Sequence, residues 1–243
     1  MNIAVVLAGG VGSRIGRNIP KQFIKIMGKP IIAYTVENFQ KNPNIDAIEI
    51  VVHKDWIDEC KAIMSEYSFD KVKWYTEGGA TFLESAMKGL DNLQGHIDDD
   101  DIIVFSYSVS PYTTEEIIDD CISVCKKFGN AMAAEDVILN TCIMDDETGT
   151  KQGLVREEMK GFSNPLAFKF GELCDAIKEA EKKGMLDRIL PYPYFVYIEL
   201  GKKVYFSKTN RKNFKITTPE DLEMFEGLIL LEEKKRCETS GTY

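Results

Sequence analysis

The sequence predicts an α/β fold: a Rossmann-like, mostly parallel sheet covered by helices on both faces, with a protruding β-arm. Three observations carry this expectation. Short apolar runs alternate with helix-patterned segments of ten or more residues, the signature of a parallel sheet. A glycine-rich stretch, Gly9-Gly10-Val11-Gly12, directly follows the first apolar run. After residue 136 the alternation breaks, and a β-rich stretch runs into the turn cluster Asp145-Asp146-Glu147-Thr148-Gly149.

The elements follow in order. Asn2-Ile3-Ala4-Val5-Val6-Leu7 reads as a buried strand. Residues 30–40 read as a helix, with Ile32, Val36 and Phe39 on one face. Residues 47–53 are a second strand. Residues 56–67 are a helix with Trp56, Cys60, Ile63 and Met64 at helical spacing. Residues 72–75 are a third strand ending in Gly78-Gly79, and a helix over 81–93 follows. Residues 102–105 form a fourth strand, and residues 114–128 a helix capped by Thr113 or Thr114 with Glu115 and Glu116 in its first turn. Residues 131–134 form a fifth strand. The arm covers about residues 137–160, with Leu154-Val155-Arg156 as the returning half of a hairpin. A helix over 171–183, a strand near 203–207 and a closing helix from Pro219 to about residue 234 complete the chain. Thr218 before Pro219, with Asp221 in the first turn, marks the start of that last helix. The expectation is one domain over residues 1–237 and a disordered tail over 238–243.

Composition narrows the function. A chain of 243 residues that is 44% hydrophobic has enough apolar content for one full core. Its net charge of −9 argues against broad binding to nucleic acid or to an anionic membrane. No apolar run reaches the ~18 residues of a membrane span. The chain enters a strand at once, without a basic leader, so a cytoplasmic location is expected. The six cysteines, Cys60, Cys121, Cys125, Cys142, Cys174 and Cys237, have no metal-site spacing and read as buried thiols.

The glycine-rich stretch carries the chemistry. Glycines just past a strand allow a sharp turn and leave no Cβ to hold a ligand away, so backbone N–H groups can meet phosphate oxygens. Arg14 and Lys21 add positive charge where a triphosphate would sit. The spacing is not a P-loop, because Gly16 is followed by Arg17. Nor is it the dinucleotide fingerprint, whose third glycine would fall on Ile15. A bare strand-to-loop turn is the bland alternative, and it would need neither Arg14 nor Lys21. The loop, Gly78-Gly79 and residues 106–111 all follow strand ends, which is where parallel sheets bind ligands.

A resemblance covers nearly the whole chain. Leu7-Ala8-Gly9-Gly10-Val11-Gly12-Ser13-Arg14-Ile15-Gly16 with Pro20-Lys21-Gln22 resembles the signature of sugar and polyol nucleotidyltransferases. With Gly78-Gly79-Ala80 and Ser85, Pro111, Arg156 and Met159, Asn164 to Phe168, and Phe214 to Leu222, the sequence looks like the cytidylyltransferases of ribitol 5-phosphate and of 2-C-methyl-D-erythritol 4-phosphate. These serve cell-wall polymer or isoprenoid biosynthesis. The resemblance implies the nucleotide-diphospho-sugar transferase type of fold, CTP and a phosphorylated polyol as substrates, Mg²⁺ with the CTP, and a homodimer joined through the arm.

By the same resemblance, Arg14, Lys21 and Lys215 are catalytic cations. Leu7, Ala8, Gly9, Gly10, Gly12, Gly79 and Ser85 hold the nucleotide. Thr141, Arg156 and Ser110 face the acceptor, with Arg156 acting across the dimer. The chain also departs from the family pattern. Tyr107 stands where an aspartate holds Mg²⁺, and Ser110 where an arginine faces substrate. Phe82 replaces a second arginine, Pro191-Tyr192 a Thr-Asp pair, Asn164-Pro165-Leu166 a T-P-Q segment, and Asn140 an aspartate. Two readings follow. One is an active cytidylyltransferase with an altered acceptor, whose CTP brings its own Mg²⁺. The other is a catalytically impaired paralogue that binds nucleotide or a homologous subunit.

Overall fold

The computed structural model describes residues 1–10 and 19–240, the last two of these by backbone alone. β1 (Asn2–Ala8) is buried over nearly its whole length, as a strand covered on both faces must be. A small ribbon of β2 (Lys25–Ile26) and β3 (Lys29–Pro30) leads into α1 (Ile31–Lys41). Then come β4 (Ala47–Val52), α2 (Ile57–Glu66), β5 (Val72–Glu77), α3 (Phe82–Leu93) and β6 (Ile102–Tyr107). β1 pairs in parallel with β4 on one side and β6 on the other, and β5 pairs in parallel with β4. The expected alternation is therefore present.

α4 (Glu115–Phe128) starts at Thr114, but the Thr114 side chain makes no capping bond. The Thr113 hydroxyl donates instead to Asn213, so the cap expected from either threonine is missing. The helix stops on Gly129, whose φ of 87° is a left-handed conformation suited to glycine, and feeds β7 (Asn130–Asp136).

The arm is a short hairpin of β8 (Cys142–Ile143) and β9 (Gln152–Gly153). Leu154-Val155-Arg156 was expected as its returning half. Instead Gln152 lies opposite Ile143, and residues 156–158 form a 3₁₀ turn. The turn sets this register: the Asp146 carboxylate accepts from the Thr148 N–H at 2.7 Å, and the Asp145 carboxylate from Lys151 N–H at 2.7 Å. Leu154 keeps one ladder bond, to the Thr141 carbonyl at 3.0 Å.

β10 (Lys160–Lys169) was not anticipated as a strand, and it inserts antiparallel between β6 and β7. A proline inside a central strand is unusual, because it gives no N–H to a ladder. The structure seats Pro165 where the register with β7 shifts, between Phe162 and Leu166, with a cis Asn164–Pro165 bond. Beyond it, Phe168 and Phe105 meet edge to face with ring centres 6.4 Å apart.

α5 (Phe170–Lys182), α6 (Pro193–Glu199) and β11 (Phe206–Ser207) follow; α6 was also unanticipated. Among the described residues the main sheet has seven strands in the order β11-β7-β10-β6-β1-β4-β5, all parallel except β10. One core, with Phe39 and Ile48, lies under α1, α2 and α4. The other, with Phe105, Leu166 and Leu173, lies under α3, α5 and α6.

α7 (Pro219–Ser240) closes the chain. The Asp221 carboxylate accepts from the N–H groups of Thr217 and Thr218, at 2.7 and 2.8 Å. The helix runs past the expected stop near 234 and through the first residues of the expected tail. The sequence places no glycine or proline between Gly227 and Gly241, so nothing breaks it earlier. No helix among the described residues is long and apolar enough to cross a membrane. Cys60, Cys121 and Cys125 are buried, and burial pushes the Cys60 and Cys125 thiols up to about 12. Cys142 and Cys237 are exposed, so the expectation of buried thiols fails there.

Candidate functional site

β1, β5 and β6 end at one edge of the sheet, and the chain leaves them as Gly9-Gly10, Gly78-Gly79 and Ser108-Val109. β1 has its sequence successors on both sides, so its carboxyl end is the topological switch point. A cavity of about 180 Å³ opens there, bordered by Gly9, Gly10, Gly79, Ser85, Lys21 and Lys215.

The glycines are needed because backbones meet. A Cβ on Gly78 would lie 3.3 Å from the Gly9 Cα, and one on Gly79 only 2.4 Å from the Glu84 Cβ. The turn after β1 is pinned by Gln22, which is almost fully buried. Its side-chain amide donates to the carbonyls of Ala8 at 2.7 Å and Gly10 at 3.1 Å. On the opposite wall the Gly79 N–H donates to the Ser85 Oγ at 3.0 Å. The Ala80 N–H donates to the Glu84 carboxylate at 2.9 Å, and the Glu84 N–H to the Thr81 Oγ1 at 3.1 Å. This is a reciprocal cap that fixes the start of α3 beside the cavity.

Two lysines bring positive charge. The Lys21 ammonium donates to the Ile216 carbonyl at 2.8 Å, and the Ile216 N–H donates to the Val109 carbonyl at 2.9 Å. The turn after β1, the loop after β6 and the segment before α7 are thus tied together. Lys215, on that segment, holds its ammonium 3.8 Å from the centre of the Tyr107 ring. Burial, reinforced by Tyr192 and Tyr194, pushes the Tyr107 phenol far above its ordinary value, so it stays neutral.

A second cavity of about 270 Å³ adjoins the first and shares Tyr107 and Lys215 with it. Its back wall is a buried polar network. Asn164 accepts from the Ser106 hydroxyl at 2.6 Å and the Tyr107 N–H at 3.1 Å. Its amide donates to the Thr113 hydroxyl at 3.3 Å, which donates to Asn213 at 2.9 Å. The Asn213 amide returns to the Asn164 carbonyl. Tyr107, Phe162 and Tyr194 border it with rings and join a wider aromatic cluster: Phe162 meets Tyr194 at 5.1 Å, Tyr192 stacks on Tyr194 at 5.4 Å, and Phe82 lies 5.2 Å from both Tyr107 and Tyr192.

Residues 2–231 match the family model described as IspD: 2-C-methyl-D-erythritol 4-phosphate cytidylyltransferase. The chain belongs to the IspD family. It is 35% identical to a ribitol-5-phosphate cytidylyltransferase of Lacticaseibacillus paracasei over 231 residues, 94% of this chain and 98% of that protein. It is likewise 35% identical to a 2-C-methyl-D-erythritol 4-phosphate cytidylyltransferase of Clostridium novyi over 238 residues, 97% of this chain and 99% of that one. The crystal structure of a 4-diphosphocytidyl-2C-methyl-D-erythritol synthase from Anaerococcus prevotii has the same fold, with a TM-score of 0.78 and 21% identity over 94% of this chain and 98% of that one.

In this IspD-family chain, Leu7, Gly9, Gly10, Lys21, Gly79, Ser85 and Lys215 all border the first cavity. Ala8 stands beside them but turns its side chain into the core. Ser110 borders the second cavity. Arg14 and Gly12 lie outside the described residues. Thr141 and Arg156 are not brought to either cavity within one chain. Both are exposed on the arm, where the Thr141 hydroxyl donates to the Leu139 carbonyl at 3.1 Å and Arg156 pairs with Glu157 at 3.0 Å.

Four of the residues that depart from the expected pattern converge in space, while Asn140 lies exposed on the arm. Phe82, Tyr107 and Tyr192 touch ring to ring, and Asn164 bonds the backbone of Tyr107. A protein-held Mg²⁺ does not fit here. Among the described residues no three acidic, histidine or cysteine side chains cluster, no carboxylate borders the first cavity, and Tyr107 offers a neutral phenol.

Sequence reasoning missed Gln22, although it stands in the quoted Pro20-Lys21-Gln22. It also missed the pairing of Asn164 with Asn213, which are 49 residues apart.

Proposed function

We propose that this chain is a cytidylyltransferase that transfers CMP from CTP to a phosphorylated polyol and releases pyrophosphate. The observation that carries this reading is the junction of the two cavities at Lys215. A glycine-walled nucleotide cavity opens there onto a second cavity lined with hydroxyl and amide groups. Ribitol 5-phosphate and 2-C-methyl-D-erythritol 4-phosphate, named for the relatives, are the first acceptors to test.

In this reading the acceptor's phosphate oxygen attacks the α-phosphorus of CTP, a P–O bond forms, and the bond to the pyrophosphate oxygen breaks. Two anions must be brought together and the charge of the transition state stabilised, which fixed cations and N–H groups do well. Lys21 and Lys215, with Arg14, are the cations for this task. Gly9, Gly10, Gly12, Leu7 and Ala8 shape the triphosphate side, and Gly79 and Ser85 the nucleoside side. Any Mg²⁺ arrives on the CTP phosphates. The reading as an impaired paralogue is favoured by one observation, the lack of a carboxylate among the described residues at the first cavity.

We further propose a homodimer formed through the arm, in the cytoplasm. Leu139, Met144 and Val155 are 72%, 69% and 57% exposed there. A partner subunit would cover them and bring Thr141 and Arg156 to its own acceptor cavity. A pyrophosphate-release screen of CTP, UTP, ATP and GTP against both acceptors tests the activity. CTP-specific turnover is expected, and no turnover with any pair would leave the paralogue reading.

A further inference from the structure

The second cavity contains a hydroxyl that the protein leaves without a bond. Ser110 is fully buried, borders the cavity, and its Oγ has no hydrogen-bond partner among the described residues. A buried hydroxyl without a partner costs free energy unless a ligand supplies one. The charged groups bordering the cavity are Arg211, Lys215 and Glu135, two cations against one carboxylate. The occupant is therefore an anion that carries hydroxyl groups.

Arg211 is the guanidinium in this set. Among the described residues it forms no hydrogen bond, ion pair or ring contact, and no salt bridge joins it to Glu135. Its backbone, by contrast, is held firmly. The Asn213 N–H donates to the Asn210 carbonyl at 3.0 Å, closing a turn with Arg211 and Lys212 at its corners. The Lys212 N–H donates to the Asn210 side chain at 3.0 Å. Asn213 is buried and anchored to Asn164, Thr113 and Thr209. The turn thus presents Arg211 to the cavity from a fixed base, four residues before Lys215. A guanidinium donates in a planar fork that matches two oxygens of a phosphate.

We infer that Arg211 is a substrate-binding residue, whose guanidinium, with Lys215, holds the phosphate of the acceptor inside one chain. The inference rests on the polyol-phosphate reading above. On this assignment the acceptor's anionic end lies between Arg211 and Lys215, toward the first cavity, and one of its hydroxyls bonds Ser110. The arm of a partner is then not the sole source of positive charge for the acceptor.

The test compares the wild-type protein with Arg211→Ala, Arg211→Lys and Arg156→Ala. KM for ribitol 5-phosphate, KM for CTP and kcat are measured, and calorimetry follows ribitol 5-phosphate binding. Arg211→Ala should raise the acceptor KM at least tenfold, with the CTP KM within twofold, and Arg211→Lys should recover part of the loss. The unchanged CTP KM also reports that the variant has folded. An acceptor KM that rises in Arg156→Ala but not in Arg211→Ala overturns the inference. If the wild type binds ribitol 5-phosphate without turning it over, the activity reading fails, and calorimetry alone decides Arg211: weaker binding in Arg211→Ala supports it and equal binding overturns it. If neither ribitol 5-phosphate nor 2-C-methyl-D-erythritol 4-phosphate binds the wild type at millimolar concentration, the inference is overturned with that reading.

Discussion

The half-sheet β5-β4-β1-β6 and the half-sheet β10-β7-β11 meet between β6 and β10, and they build their parts of the site by different means. In the first half every strand is parallel, and each is reached from the one before it in the chain through a helix. Its contribution to the site is backbone: Gly9, Gly10 and Gly79 border the first cavity. In the second half an antiparallel strand is threaded between two others, and the second cavity is bordered by side chains such as Asn164 and Asn213. Behind them Thr113 and, from the end of β6, Ser106 complete a network drawn from separate segments. A backbone site persists as long as the turn persists. A side-chain site depends on every member, because each buried polar group relies on the next.

The sharpest way to break this contrast is Asn164→Leu. It strands the Ser106 hydroxyl and the Tyr107 N–H and removes the amide bonds to the Thr113 hydroxyl and the Asn213 side-chain oxygen, all buried or nearly so. At ~1–3 kcal/mol for each unsatisfied group, the loss should reach roughly 3 kcal/mol or more in urea denaturation. CTP affinity should change much less than acceptor affinity. Equal losses of both would show that the halves are not separable.

The parallel half has a buried carboxyl of its own. Glu49 on β4 is fully buried, and burial pushes its carboxyl from 4.5 up to about 7 against the opposing hydrogen bonds from Thr76 and Asn92. The unfolded chain loses this proton first as pH rises. Stability should therefore fall between about pH 4.5 and 7, by roughly 3 kcal/mol from this group, and level off above. Glu49→Gln should flatten that slope in urea midpoints taken from pH 5 to pH 8. An unchanged slope would mean that Glu49 is ionised in the fold.

Lys21→Ala tests the nucleotide cavity with a smaller effect. Losing a charge-assisted bond should weaken CTP binding by ~1.5–3 kcal/mol in calorimetry. The acceptor KM should move little, unless Lys21 also reaches across to the second half. Smallest is the ring under Lys215. Tyr107→Leu should lower kcat/KM about two- to fivefold, the worth of a cation–π contact of ~0.5–1 kcal/mol, and Tyr107→Phe should stay within about twofold. Equal rates in all three proteins would show that Lys215 does not depend on the ring.

The contrast also explains what could be read in advance. β1, α1, β4, α2, β5, α3 and β6 each announce themselves by local period, and their order alone puts Gly9 and Gly79 at one edge. β10 hides its period behind Pro165 and a polar first half, and its place between β6 and β7 is set by partners far away in the chain. The arm shows the same limit on a smaller scale. Its hairpin was legible, but its register was decided by Asp145 and Asp146 bonding inside the turn.

By itself, the sequence determined the α/β class, the loop at the end of β1, its positive charges and the family. These depend on neighbours within a few residues, or on motifs with a fixed spacing. Only the tertiary structure decided that Phe82, Tyr107 and Tyr192 form one aromatic wall, that Asn164 and Asn213 share a network, and that Arg211 borders a cavity with Ser110. The physical reason is the insertion of β10. It brings residues 106–113, 162–164 and 209–215 together across the sheet, and no local pattern records contacts made between segments so far apart in the chain.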